Sequence, residues 1–246
     1  MFWDQNKLGL RVAAALVLAS GAAAASADVL VVRATGPSAK KFPAGKALPD
    51  TAKVTLAAND ALVVLDSRGT RTLRGPGTFT PGGPITNSQP TRTASAAQPR
   101  RARIGAVRSV GSASTAPRAP SIWQVNVAKS GTVCLADPAT VTLWRADVSK
   151  PVTLSITAAD GARREMPWAA GQTTLAWPGE LPIAEGSAYR LSWAGPASPT
   201  NLKFRMLGNK PAGLEDMASA LIQNGCEAQL DVLIETVRLP DDRAAG

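Results

Sequence analysis

The chain has 246 residues, 27 Lys and Arg against 18 Asp and Glu, a formal charge of +9, and no histidine. The missing imidazole removes the usual general base of serine and cysteine hydrolases and the commonest zinc ligand. The length permits two small domains or one larger β domain.

Residues 1–27 read as an export signal. Lys7 and Arg11 precede the apolar run Val12–Ala25, and Ala25-Ser26-Ala27 is a small-x-small cleavage site that would leave Asp28 first. The run is shorter than the ~20 residues a spanning helix needs. No later segment is long and apolar enough to span a bilayer, so a periplasmic or secreted location is expected.

From Asp28 the fold is expected to be mainly β. Val29–Ala34 is a Val-rich run bounded by Asp28 and by Gly36-Pro37, the pattern of a buried strand. Val54 and Leu56 alternate with polar neighbours, and Ala61–Asp66 forms a second β run. Ser67-Arg68-Gly69 supplies a turn, after which Thr70–Arg74 pairs back as a hairpin. Gly75-Pro76-Gly77 ends it, because proline removes a ladder donor and glycine weakens strands. Residues 28–80 thus make a small β domain, marginal alone at this size.

The sequence Phe42-Pro43-Ala44-Gly45-Lys46-Ala47-Leu48, then Val54-Thr55-Leu56, then Ala61–Asp66 and Gly69, resembles the periplasmic FecR domain of bacteria. The resemblance covers about residues 29–80. It implies a β-rich envelope domain suited to protein contacts. Members of that family usually relay signals through a transmembrane helix and a cytoplasmic part; neither is read in this sequence, so that role is not expected.

Residues 81–120 read as a linker of Pro, Gly, Ser, Thr, Ala and Arg, too poor in large apolar side chains to offset their ordering entropy. Arg92, Arg100, Arg101, Arg103, Arg108 and Arg118 lie there with no acid between Thr86 and Pro120, and account for six of the nine net charges. Arg100, Arg101, Arg103 and Arg108 are candidate contacts to an anionic envelope surface. Nucleic acid is not an expected partner, since no aromatic side chain is present in the stretch to stack bases. Arg103–Val110 interleaves apolar residues with arginines and is the one part suited to dock as an edge strand.

Residues 121–208 contain five tryptophans, Trp123, Trp144, Trp168, Trp177 and Trp193, and the only tyrosine, Tyr189. Strands are predicted at Trp123–Val127, Gly131–Leu135, Val141–Arg145, Val152–Thr157, Thr173–Trp177, Tyr189–Trp193 and Leu202–Leu207. Asp160-Gly161 is a hairpin turn pair. Short strands at this spacing predict a β-sandwich-like domain; the immunoglobulin signature is absent, because the second cysteine falls outside the strands.

Over residues 209–240 the apolar period becomes helical. Leu214, Met217, Ala218, Leu221 and Ile222 form one face, and Cys226, Leu230, Leu233, Ile234 and Val237 a second. Asn224-Gly225 divides the two helices, Leu239-Pro240 ends the second, and residues 241–246 are a tail. This helical hairpin is expected to close the fold by packing on the Trp-rich sheet. Cys134 and Cys226 are the only cysteines, and in an oxidising compartment they are expected to form a disulfide.

No P-loop, dinucleotide-binding, nucleophile-elbow or EF-hand pattern occurs, and no cofactor or metal is expected. Asp147, Asp160, Glu165, Glu180 and Glu185 sit in turn-like contexts and read as solvated. Asp60 and Asp66 flank a strand and read as edge solubilisers rather than a cation site. The sequence therefore predicts an exported, non-catalytic protein-interaction or accessory module of the bacterial envelope, its partner another envelope protein. The alternative is a glycan-binding module, for cell-wall or other polysaccharide, presenting Trp144, Arg145, Trp168 and Trp177 as its ligand surface.

Overall fold

A computed structural model describes residues 28–83, 118–196, 199–208 and 211–239. The fold is mainly β and is closed by two C-terminal helices. The first unit holds β1 (Asp28–Thr35), β2 (Ala47–Pro49), β3 (Val54–Leu56), β4 (Ala61–Asp66), β5 (Gly69–Arg74) and β6 (Gly77–Phe79). Four of these strands form a sheet in the order β2-β1-β4-β5, and β3 pairs with β6. β4 and β5 make the predicted hairpin, with Asp66 opposite Gly69.

The unbroken apolar run of β1 follows from burial on both faces. Val29 and Val31 enter the unit's own core with Leu48, Leu62, Val64 and Leu73. Leu30, Val32 and Leu65 face the opposite way, toward the helices. The β1–β4 register slips between Val31 and Arg33, leaving Val32 as the extra residue of a bulge. A bulge re-aims the side chains that follow it. Here it turns Arg33 onto the helix side, where its guanidinium donates to Asp231.

The second unit is a sandwich. Its larger sheet contains β8 (Gly131–Leu135), β10 (Val152–Ala158), β11 (Arg163–Trp168), β13 (Ala188–Ser192) and β14 (Thr200–Met206), in the order β11-β10-β13-β14-β8. The smaller contains β7 (Gln124–Asn126), β9 (Thr142–Trp144) and β12 (Thr174–Ala176), in the order β12-β9-β7. Two pairings are parallel, β14 with β8 and β7 with β9. Leu143, Leu154, Ile156, Trp168, Leu191 and Phe204 fill the space between the sheets and are essentially inaccessible to water. β11 is not among the strands that the sequence predicts. It follows the Asp160-Gly161 turn, in which Gly161 has φ +91° and the Asp160 carboxylate accepts from the Ala162 N–H at 2.9 Å.

Helix α1 (Leu214–Gln223) ends at Asn224-Gly225 as its sequence predicts, with Gly225 at φ +69° and the Cys226 N–H donating to the Leu221 carbonyl at 2.8 Å. Helix α2 (Glu227–Thr236) follows at once. The hairpin does not rest on the Trp-rich sheet alone. Ala218, Leu221, Leu230, Leu233 and Ile234 pack with Leu30, Val32 and Leu65 of the first unit and with Cys134 and Leu207 of the second. The helices are the shared core of the two units, so α2 is buried on several sides rather than along one stripe.

Candidate functional site

The junction is built around α2. Cys134 on β8 and Cys226 at the start of α2 form the expected disulfide, with Cα atoms 5.9 Å apart. One turn into the helix, Gln229 turns its amide onto the same strand. Its Oε1 accepts from the Cys134 N–H at 2.6 Å, and its Nε2 donates to the Cys134 carbonyl and to the Ile122 carbonyl, each at 2.8 Å. Gln229 is buried, and these bonds satisfy the amide group fully enough to offset its burial.

The other side of α2 is tied to the first unit. The Thr70 hydroxyl donates to the Ile234 carbonyl at 2.7 Å, the Thr70 N–H donates to the Val237 carbonyl at 2.9 Å, and the Leu239 N–H donates back to Thr70 at 3.0 Å. The close approach of Val237 explains Gly69, which has φ +142° and where a Cβ would lie 2.2 Å from the Val237 carbonyl oxygen.

Beside this clamp lies a cleft of about 250 Å³ lined by residues including Arg118, Gln124, Lys129, Thr132, Glu227 and Gln229. β8 is the edge strand of its sheet. Successive backbone groups on a strand point to opposite sides, and the Leu207 N–H bonds the Leu135 carbonyl on the β14 side. Cys134 therefore faces outward to Gln229, and Thr132, two residues earlier, faces outward into the cleft. No hydrogen bond from a described residue covers the Thr132 N–H or carbonyl. Gln124 adds a buried Oε1 with no partner among the described residues. The cleft thus offers a short open strand edge, with Lys129 and Glu227 among its charged lining residues.

The tryptophans do not form the ligand surface of the alternative reading. Trp144 and Trp168 are buried, which corrects their reading as ligand-facing. Arg145 is buried too: its guanidinium donates to the carbonyls of Ala169 at 2.7 Å, Lys150 at 3.1 Å and Gln172 at 3.2 Å, and lies 4.9 Å from the Trp168 ring centroid. Each of its three nitrogens donates to one loop carbonyl, and the Trp168 ring covers its face. Trp177 is half-buried, edge-on to Tyr189 and Phe204 at 4.8 and 5.2 Å, with its Nε1–H bonded to the Leu181 carbonyl. Only Trp123 is an exposed large apolar side chain among the described residues. Arg100, Arg101, Arg103 and Arg108 lie outside the described residues, as do the predicted signal and nearly all of the linker.

The acids also need correction. Asp60 and Asp66 are buried rather than solvated at an edge. Asp60 accepts from the Ser38 N–H at 2.9 Å and the Ala57 N–H at 2.5 Å, and these bonds, Ser38 first, hold its carboxyl below the usual range. Burial pushes the Asp66 carboxyl up, but hydrogen bonds from Arg68 and the charges of Arg71 and Arg68 outweigh it and hold it low. Arg71, itself buried, reaches past Asp66 to the Gly83 carbonyl at 2.6 Å and to the Pro81 carbonyl, fixing the chain where the first unit ends. Asp147 and Asp160 do sit in turns, capping N–H groups two residues on. Glu165 instead lies within β11, paired with Arg163 at 2.6 Å. No group of three or more potential metal ligands occurs among the described residues.

The disulfide is of the kind found in oxidising compartments, consistent with an extracellular or periplasmic location. No described helix is long and apolar enough to cross a membrane. A scan against protein-family models, a search of curated proteins and a search of solved structures each return no match.

Proposed function

We propose that this protein is an exported, non-catalytic interaction module of the bacterial envelope. Its first unit is read as a FecR-like contact domain, and it takes an extended segment of a partner envelope protein at the cleft beside α2. The observation that carries this reading is the open edge of β8 at Thr132, adjacent to Cys134, whose own N–H and carbonyl are already matched by Gln229. An extended peptide entering the cleft would pair with Thr132 as a further strand, the recognition mode in which main-chain bonds supply affinity. Lys129 and Glu227 in the cleft lining would add charge complementarity to the bound segment. The disulfide and the bonds to Thr70 support the same reading, since they hold the cleft walls against both units and reduce the ordering cost of binding.

The test is photo-crosslinking in envelope preparations, with the photoreactive residue at position 132 and, as a control, at position 153 on β10, toward the opposite edge of the same sheet. A discrete adduct from position 132, absent from 153, is expected. Equal labelling from both positions, or none from 132, would count against the cleft as the contact.

A further inference from the structure

The open face of the five-stranded sheet carries a second cavity, distant in sequence from the cleft and built from different chemistry. It measures about 360 Å³ and is lined by Ser155, Thr157, Arg163, Arg190, Ser192 and Trp193, among others. The strand register explains the grouping. Thr157 on β10 stands opposite Arg163 on β11 and opposite Arg190 on β13, so one row across three strands reads Arg-Thr-Arg. Ser155 stands opposite Glu165 and Ser192, so the next row reads Glu-Ser-Ser. Strands lie about 4.8 Å apart, which puts the two arginine backbones roughly 10 Å apart with hydroxyls between them.

We propose that this face binds an acidic saccharide, a sugar ring bearing a carboxylate. Arg163 is braced by Glu165, whereas Arg190 is exposed and makes no ion pair with another described residue. A guanidinium on an open sheet face is suited to a carboxylate, which it can grip through two parallel N–H donors. Ser155 is buried, and its Oγ has no hydrogen-bond partner among the described residues. An unpartnered buried hydroxyl is costly, and a ligand rich in hydroxyls supplies its missing bond. Thr157 and Ser192 offer the same donors and acceptors on either side. Trp193, half-buried and packed against the sandwich core, borders one end of the cavity. The glycan reading of the sequence thus moves from Trp144, Trp168 and Trp177, which are committed to packing, to the hydroxyls and arginines of the open sheet face. This site is independent of the cleft at Thr132, and neither proposal depends on the other.

The experiment is calorimetric titration of the whole protein with cellobiouronate, with cellobiose as the neutral sugar and with inorganic phosphate as the anion that is not a sugar. Cellobiouronate is expected to bind, with cellobiose and phosphate each about tenfold weaker or more. Arg190→Gln, at an exposed position that folding does not need, is expected to cost about tenfold in cellobiouronate affinity. Ser155→Ala is expected to weaken that binding while raising the melting temperature, since it removes an unpaired buried hydroxyl. Absent cellobiouronate binding, cellobiose binding of equal strength, phosphate binding of equal strength, or affinity unchanged in Arg190→Gln or Ser155→Ala would each overturn the proposal.

Discussion

Gln229 does for Cys134 what a neighbouring strand would do. Its side-chain amide presents one acceptor and one donor to the backbone N–H and carbonyl of a single edge residue, at 2.6 and 2.8 Å. The disulfide joins the same residue to Cys226, three positions before Gln229. One strand residue is thus held covalently and by hydrogen bonds to one helical turn. Replacing Gln229 by Leu preserves size but leaves the Cys134 backbone groups buried and unpaired, at a cost of about 1–3 kcal/mol for each orphaned group. Urea denaturation should show a lower midpoint, and Gln229→Glu, which sets a buried carboxylate against the Cys134 and Ile122 carbonyls, should fall lower still at pH 7.

The disulfide closes a loop of 92 residues, for which chain entropy gives about 4.6 kcal/mol of stabilisation. That loop contains all of the sandwich except β7 and the start of β8, and its far end sits in the core shared with the first unit. Cys134→Ala with Cys226→Ala should therefore lower the thermal midpoint of both units together, read by tryptophan fluorescence for the sandwich and by amide exchange at Val31 and Val64 for the first unit. Loss of stability in the sandwich alone would show that the helices do not couple the two.

Arg145 is a structural residue whose exposed appearance in the sequence is misleading. Its fork reaches three carbonyls from two loops while its face lies against Trp168. Arg145→Lys retains the charge but not the fork or the stacking. It should cost about 2–3 kcal/mol, nearly as much as Arg145→Ala, and expose the Trp168 fluorescence to quencher. A lysine variant as stable as the parent would contradict this role.

Asp66 gives the first unit a pH dependence. Its carboxyl titrates below its unfolded value, so its contribution is fully present above about pH 4 and is lost as pH falls through the folded value. Asp60, lowered by its backbone bonds, acts with the same sign. Asp66→Asn should destabilise the unit at pH 7, and the gap between variant and parent should narrow below about pH 4. A gap that stays constant with pH would remove Asp66 as the source.

Much of this architecture was legible because burial leaves a mark on composition. β1, β4, β8 and β14 are apolar runs or alternations that match the faces they bury. β11 was missed because it is an edge strand whose Arg163, Arg164 and Glu165 face water, the charged edge that discourages strand-to-strand association. β2 and β6 are three-residue edges containing proline or glycine. The parallel pairings β7–β9 and β8–β14 carry no local signal, since the partner is set by how long connections return. At the junction the cysteine pair was readable from their number. Gln229 was not read, although it interrupts the apolar series Cys226, Leu230, Leu233 at the position where another buried residue belongs. A polar residue on an apolar helical stripe is the signal for such a clasp. The buried tryptophans show the converse: their abundance reported a core, and no spacing rule distinguished that from a surface.

The most direct test of the cleft is amide exchange at positions 132 and 134, followed in the position-132 crosslinking variant before and after it captures its partner. The account predicts that the amide at position 132 exchanges quickly before capture and slowly after it, while Cys134, already bonded to Gln229, is slow in both. Exchange at position 132 that capture leaves unchanged would contradict strand pairing at that edge.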